Sequence, residues 1–194
     1  MPISTIGQNG LNAPLSLTTP ALGTPSALVL TNATGLPQAG LGTNVAGNGP
    51  SFSAYQSTAP SLVANVGTLT VYQTEEWDTG GCFNNTASTV TLNGISVPQY
   101  AFAPNVAGYY QVSAGATVAS SNVYMLMNVY KNGSNHRRYT NSNPALFSGL
   151  QGSVLIYLNG TSDYLQIYVQ QGGNQQLSTG ADSTFFQAVM VRSA

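Results

Sequence analysis

The groups that could do chemistry are few in this chain. Among 194 residues there are four Lys or Arg, five Asp or Glu, one His and one Cys. The run Thr74-Glu75-Glu76-Trp77-Asp78 gathers three of the acids. Two carboxylates flanking a glycosidic bond are the arrangement that cleaves it. In a strand, Glu75 and Glu76 project to opposite faces, whereas Glu76 and Asp78 share one. No further acid lies nearby in sequence to complete an acid–base site. A solvated loop or an ion pair between subunits accounts for the cluster better, so no catalytic residue is assigned and the chain is read as non-enzymatic.

The bases cluster as well. His136, Arg137 and Arg138 follow Lys131 closely, and guanidinium groups fork onto oxyanions. These three are candidate ligand-binding residues for anionic sugars, phosphates or a capsid surface. The competing account is a solvated strand end that pairs with the acidic cluster of a neighbour. His136 is the single histidine and Cys82 the single cysteine. A zinc site or a Cys-His nucleophile needs further ligands that the spacing does not supply, so no metal and no cofactor are expected. Trp77 with Tyr55, Tyr72, Tyr100, Tyr139 and Tyr164 could form a sugar-stacking surface, or could be half-buried sandwich or subunit-wall residues.

The elements that must hold these groups follow from composition and period. Apolar residues make up 42% of the chain and charged residues 5%, where about a quarter charged is usual. The surface is therefore built from Ser, Thr, Asn, Gln, Gly and Tyr. A net charge of −1 gives no bulk attraction to nucleic acid or to an anionic membrane. One cysteine excludes an intrachain disulfide and suits folding in a reducing cytosol. The opening MPISTIGQNG lacks the basic and apolar parts of a signal peptide. No apolar run of about 18 residues offers a membrane-spanning helix, and no membrane insertion is expected.

From Pro50 onward the hydrophobic pattern has period two. In YYQVSAGATVA, Tyr110, Val112, Ala114, Ala116 and Val118 share one face, while Tyr109, Gln111, Ser113 and Thr117 share the other. That is a long half-buried strand. Asn93-Gly94, Asn132-Gly133 and Asn159-Gly160 are read as hairpin turns, since both residue types tolerate positive φ. About ten short strands with regular turn signals predict an antiparallel all-β sandwich. In VYMLMNVY and TFFQAVMV both faces are largely apolar. A sandwich strand needs one apolar face, so the second should be covered by another sheet or subunit. Tyr110, Tyr124, Met125, Met127, Phe185, Phe186 and Met190 are accordingly assigned to the core or to an oligomer interface.

Residues 1–49 read differently. Pro14, Pro20, Pro25 and Pro37 break any helix, and glycines punctuate the rest. Such a segment buries little apolar surface by itself. Its short island Leu28-Val29-Leu30 suits a strand added to the sheet edge of a partner. The expected organisation is an extended attachment arm over 1–49 and a β-rich knob over 50–194.

Four stretches of the knob occur in an order that resembles a known family. GPSFSAYQS, with Phe52 and Ala54, is similar to the first strand of the jelly roll shared by complement globular heads and tumour necrosis factor ligands. FAPNVAGYYQVSAGATV, with Phe102, Gly108, Tyr109 and Tyr110, resembles its aromatic, bend and Gly-Tyr-Tyr strand. VYKNG resembles its Lys-Asn-Gly hairpin, and STFFQAVMV its closing strand, with Gln187-Ala188 departing from the usual glycine. The resemblance implies a ten-stranded jelly roll assembling as a tight homotrimer. Calcium-binding positions of some members cannot be located here, so no metal site is carried over.

The arm has a resemblance of its own. ALGTPSALVLTNATGLP is similar to a segment recurring in bacteriophage head- and tail-fibre proteins, through Gly23–Ser26 and Leu30–Pro37. Together the two resemblances imply a virion-surface protein, assembled in the host cytoplasm, whose arm docks to a phage capsid or tail protein. A capsid decoration or head fibre is one expectation. The other is a tail-fibre tip that recognises host surface glycan.

Overall fold

A computed structural model describes residues 49–118, 124–142 and 148–194. Leu28, Val29 and Leu30, and with them the arm except its last position, lie outside the described residues. The described strands are β1 (Ser51–Tyr55), β2 (Thr68–Leu69), β3 (Thr74–Asp78), β4 (Val90–Leu92), β5 (Ile95–Val97), β6 (Gly108–Val118), β7 (Met125–Lys131), β8 (Ser134–Ser142), β9 (Ser148–Leu158), β10 (Leu165–Gln171) and β11 (Phe185–Ser193). Antiparallel pairing orders them as a five-stranded sheet β3-β1-β11-β6-β9 and a four-stranded sheet β2-β10-β7-β8, with β4-β5 as a small separate hairpin. The chain is an all-β jelly-roll sandwich.

Alternation decides what lies between the sheets. On β6, Tyr110, Val112, Ala114, Ala116 and Val118 are all buried. They share the core with Met125, Met127 and Val129 of β7 and with Leu165, Ile167 and Val169 of β10. An aromatic cluster joins the first and last strands. The Phe52 ring stacks on Phe83 at 4.4 Å and meets Phe186 edge-on at 4.8 Å. Each such fully buried side chain contributes about 1.5–3 kcal/mol. Of the residues assigned to core or interface, Tyr110, Met125, Met127 and Phe186 are therefore inside one protomer. Met190 is half-buried against the core, Phe185 lies over Gly115, and Tyr124 packs on Gly172.

Two Asn-Gly pairs close hairpins, and the third does not. Asn93 (φ 50°) and Gly94 (φ 79°) join β4 to β5, and Asn132 (φ 53°) and Gly133 (φ 77°) join β7 to β8. Positive φ at both central residues matches the right-handed twist of the flanking strands. Asn159-Gly160 instead carries the chain from one sheet to the other, since β9 and β10 do not pair. The Asn159 Oδ1 accepts 3.0 Å bonds from the N–H groups of Thr161, Ser162 and Asp163. The dipeptide signals positive φ, here at Gly160 (71°), and not the two-residue loop.

Candidate functional site

The inward residues of β1, β6, β9 and β11 leave their neighbours facing out. Across that outer face the register aligns Ser51, Val189, Gln111 and Leu155 in one row, and Ser53, Gln187, Ser113 and Ser153 in the next. Tyr109 and Tyr157 form a further pair, with ring centroids 5.5 Å apart. Trp77, Val189, Leu155, Tyr109 and Tyr157 are each between 42% and 52% exposed. A groove of about 200 Å³ runs between Trp77 and Gln111, floored by Ser51, Ser113, Gln187 and Val189.

The polar groups on this face bond to one another. Gln187 Nε2 donates to Ser53 Oγ at 3.1 Å, and Ser53 Oγ donates to Glu76 Oε2 at 2.6 Å. Ser113 and Ser153 share a 2.9 Å hydroxyl contact, and Gln111 Nε2 donates to Ser153. Covering a polar surface costs most when donors and acceptors lose water without replacement. Ser53, Ser113, Ser153 and the amide N–H groups of Gln111 and Gln187 already have such replacements, which lowers the polar cost of covering them.

Strand β3 supplies the acidic rim of this face, and its geometry separates Glu76 and Asp78, which regular alternation would put on one side. A register shift opposite Ser53 and Ala54 inserts an extra residue. Such a bulge breaks the alternation of side chains. Glu76 meets Ser53 on the outer side beside Trp77. Asp78 instead accepts backbone bonds from Gly80 (3.1 Å) and Phe83 (2.8 Å), holding the turn after the strand. Glu76 and Asp78 therefore do not converge. Burial, and then the charge of Asp78, raise the Glu75 carboxyl above its ordinary value.

The basic group divides into two roles. Lys131 pairs with Asp163 at 2.9 Å and donates to the Tyr157 carbonyl at 2.8 Å. Burial alone would push the Asp163 carboxyl up. Bonds from Asn132 (2.7 Å), Lys131 and the Asn159 N–H (3.0 Å), with the lysine charge, outweigh it and hold that carboxyl below its usual range. Lys131 is thus a structural corner. His136, Arg137 and Arg138 are exposed on β8, at the edge of the four-stranded sheet. Arg138 Nε reaches Asn128 Oδ1 at 3.4 Å. Burial, Arg137 and Lys131 lower the His136 imidazole below its ordinary value.

The proposed stacking surface is not assembled. Tyr72 and Tyr100 are buried, Tyr55, Tyr139 and Tyr164 are half-buried, and Trp77 belongs to the five-stranded sheet. A different pair meets on the outside of the four-stranded sheet. Tyr130 and Tyr168 stack with centroids 4.0 Å apart, beside the row Tyr168, Asn128, Arg138. Their place opposite the buried Met127 and Val129 face was the signal in sequence; their contact depends on the pairing of β7 with β10. Cys82 is buried and burial pushes its thiol up, which makes it a poor nucleophile. Among the described residues no three His, Cys, Asp or Glu side chains gather as a metal site.

No family model and no curated protein sequence matches the chain. Solved structures do. The crystal structure of murine APRIL at pH 5.0 aligns with a TM-score of 0.52, covering 73% of this chain and 98% of that one at 11% identity. The globular domain of zebrafish complement 1qA protein aligns with a TM-score of 0.52, covering 75% of this chain and 99% of that one, also at 11% identity. The fold is the jelly roll of tumour necrosis factor ligands and complement globular heads. The likeness is one of fold.

Proposed function

We propose that the chain is a non-enzymatic structural protein of a bacteriophage particle, a homotrimeric capsid decoration or head fibre protein. Residues 1–49 are its virion-attachment arm and residues 50–194 its exposed knob. The observation that carries the trimer is the outer face of the five-stranded sheet. It exposes Trp77, Val189, Leu155, Tyr109 and Tyr157 together while its polar side chains bond among themselves. An apolar face of that breadth is a surface to be covered. The phage setting is supported by the fibre-like order of GTPS and LTNATGLP in the arm. Three arms on one trimer bind with avidity even when each contact is weak.

The test is the solution mass of the full chain followed by co-sedimentation with undecorated phage heads. A trimer that sediments with heads is expected. Deletion of residues 1–49 should leave a soluble trimer that no longer sediments, and a truncated trimer that still binds heads overturns the arm. A second reading makes the knob the receptor-binding tip of a tail fibre. It is favoured by the Tyr130–Tyr168 stack beside Asn128 and Arg138, since aromatic faces and guanidinium groups suit an acidic glycan. Labelled knobs imaged at the tail, and loss of host-cell binding in Tyr168→Ala with Arg138→Ala, would establish that reading over the first.

A further inference from the structure

Five buried side-chain oxygens find no hydrogen-bond partner among the described residues: Gln56 Oε1, Thr70 Oγ1, Tyr72 Oη, Gln171 Oε1 and Thr184 Oγ1. In a folded interior such groups are nearly always satisfied, by protein or by ordered water.

Four of the five come from elements that face one another. Gln56 and Thr184 extend the β1–β11 ladder by one step, the Gln56 N–H donating to the Thr184 carbonyl at 2.9 Å. Alternation turns both inward, beside the buried Ala54 and Phe186. The Gln56 Nε2 is turned to the Thr58 carbonyl at 3.4 Å, which leaves Oε1 to accept. Thr70 and Tyr72 follow β2, and the Thr70 N–H donates to the Ile167 carbonyl of β10 at 2.9 Å. Because β8 packs beside β9, the two strand orders lay β2 over β1 and β11. The Tyr72 ring accordingly meets Phe186, with centroids 5.5 Å apart. Burial drives the Tyr72 phenol far up, and the Thr70 hydroxyl beside it pulls it back only in part. The nearby inward positions of β1 and β6 are small, Ala54, Ala114 and Ala116, which leaves room between sheets that pack about 10 Å apart.

We propose that Gln56, Thr70, Tyr72 and Thr184 form an internal water site, in which ordered water bridges the β1–β11 ladder to the segment after β2. Three hydroxyls and an amide oxygen offer water both donors and acceptors, and a buried water makes about three hydrogen bonds. A cation suits the site less. All four oxygens are neutral, and a buried charge without a counter-charge is costly. The site lies within one protomer and is independent of the trimer reading.

The sign of two isosteric substitutions tests this in the full chain, Tyr72→Phe and Thr184→Val, each followed by urea unfolding at one protein concentration. Deleting an oxygen that is buried dry removes a desolvation penalty and strengthens folding, whereas deleting one bonded to water weakens it. Each variant should lower the folding constant about tenfold. The two together should lower it by less than the product, since both hold the same water. Oxygen-17 relaxation of the solvent should detect a long-lived internal water in the wild type that the double variant lacks. Substitutions that raise the folding constant overturn the site, because the oxygens are then dry. Substitutions that lower it while the wild type holds no long-lived water also overturn it, because the partners are then protein groups. A folding constant that changes when sodium is exchanged for potassium or choline at equal ionic strength overturns it in favour of a cation.

Discussion

The two outer faces of this sandwich are built from the same alternation and differ in what they leave exposed. The five-stranded sheet turns out Val189, Leu155, Trp77 and the Tyr109–Tyr157 pair around a groove, with its amides and hydroxyls tied to one another. The four-stranded sheet turns out Gln170, the Tyr130–Tyr168 stack and Arg138 around Leu126, with Asn128 buried beneath them. Branched aliphatics offer water nothing, while phenols, amides and guanidinium groups keep hydrogen bonds with it. The first face is suited to burial against protein and the second to permanent hydration.

The largest test of that contrast places the same charge on each face. Leu155→Arg should convert the trimer to monomer at micromolar concentration, because each of three contacts loses an apolar group worth about 1.5–3 kcal/mol and gains a charge. Leu126→Arg, outward on β7 opposite Gln170, should leave the mass unchanged. Equal effects, or none, would remove the distinction between the faces. Both variants should stay folded, as judged by an unchanged β-sheet spectrum.

A smaller effect separates the faces from the corner that joins them. Asp163→Asn removes the partner of Lys131 and weakens acceptance from Asn132 and Asn159. It should cost about 2–3 kcal/mol of protomer stability, as for hydrogen bonds to a charged group that leave a cation unmatched. The folded carboxyl titrates below its unfolded value of about 4. Its contribution is therefore complete above that value and is lost as pH falls through the lower folded one. Wild type should lose stability on that acid side while the Asn variant loses less, measured by urea unfolding at several pH values. An identical acid slope in both would show that Asp163 is not the titrating corner.

How much of this could be read from sequence depends on how far each signal reaches along the chain. The face of β6 was legible because Tyr110 to Val118 alternate without interruption, and one side is plainly smaller and more apolar. On β7 and β11 both sides are apolar, and only the partner sheet decides that Met125, Met127 and Phe186 face inward. One extra residue in β3 reverses the face of everything beyond it, so the Glu76–Asp78 spacing misled where the bulge lay unseen. Asn159-Gly160 carried the same dipeptide as two true hairpins. Its strands belong to different sheets, a fact set by packing at long range. The outer groove has no local signature, since its lining comes from four strands.

The smallest effect sharpens the claim that the four-stranded face lives in water. Tyr168 stacks on Tyr130, and burial, then Tyr130 and Tyr164, raise its phenol above the ordinary value. An aromatic pair contributes about 0.5–1.5 kcal/mol beyond the area it buries. Tyr168→Ala should lower stability by roughly that amount plus a modest loss of half-buried area, about 1–2 kcal/mol in all, and leave the trimer's dissociation untouched. Trp77→Ala should do the reverse: little change in the monomer's unfolding, since the ring is 49% exposed, and easier dissociation. A double-mutant cycle of Tyr130→Ala and Tyr168→Ala isolates the stack from the area. If Tyr168→Ala instead loosened the trimer, the hydrated face would itself be in contact with protein, and the assignment of the two faces would have to be exchanged.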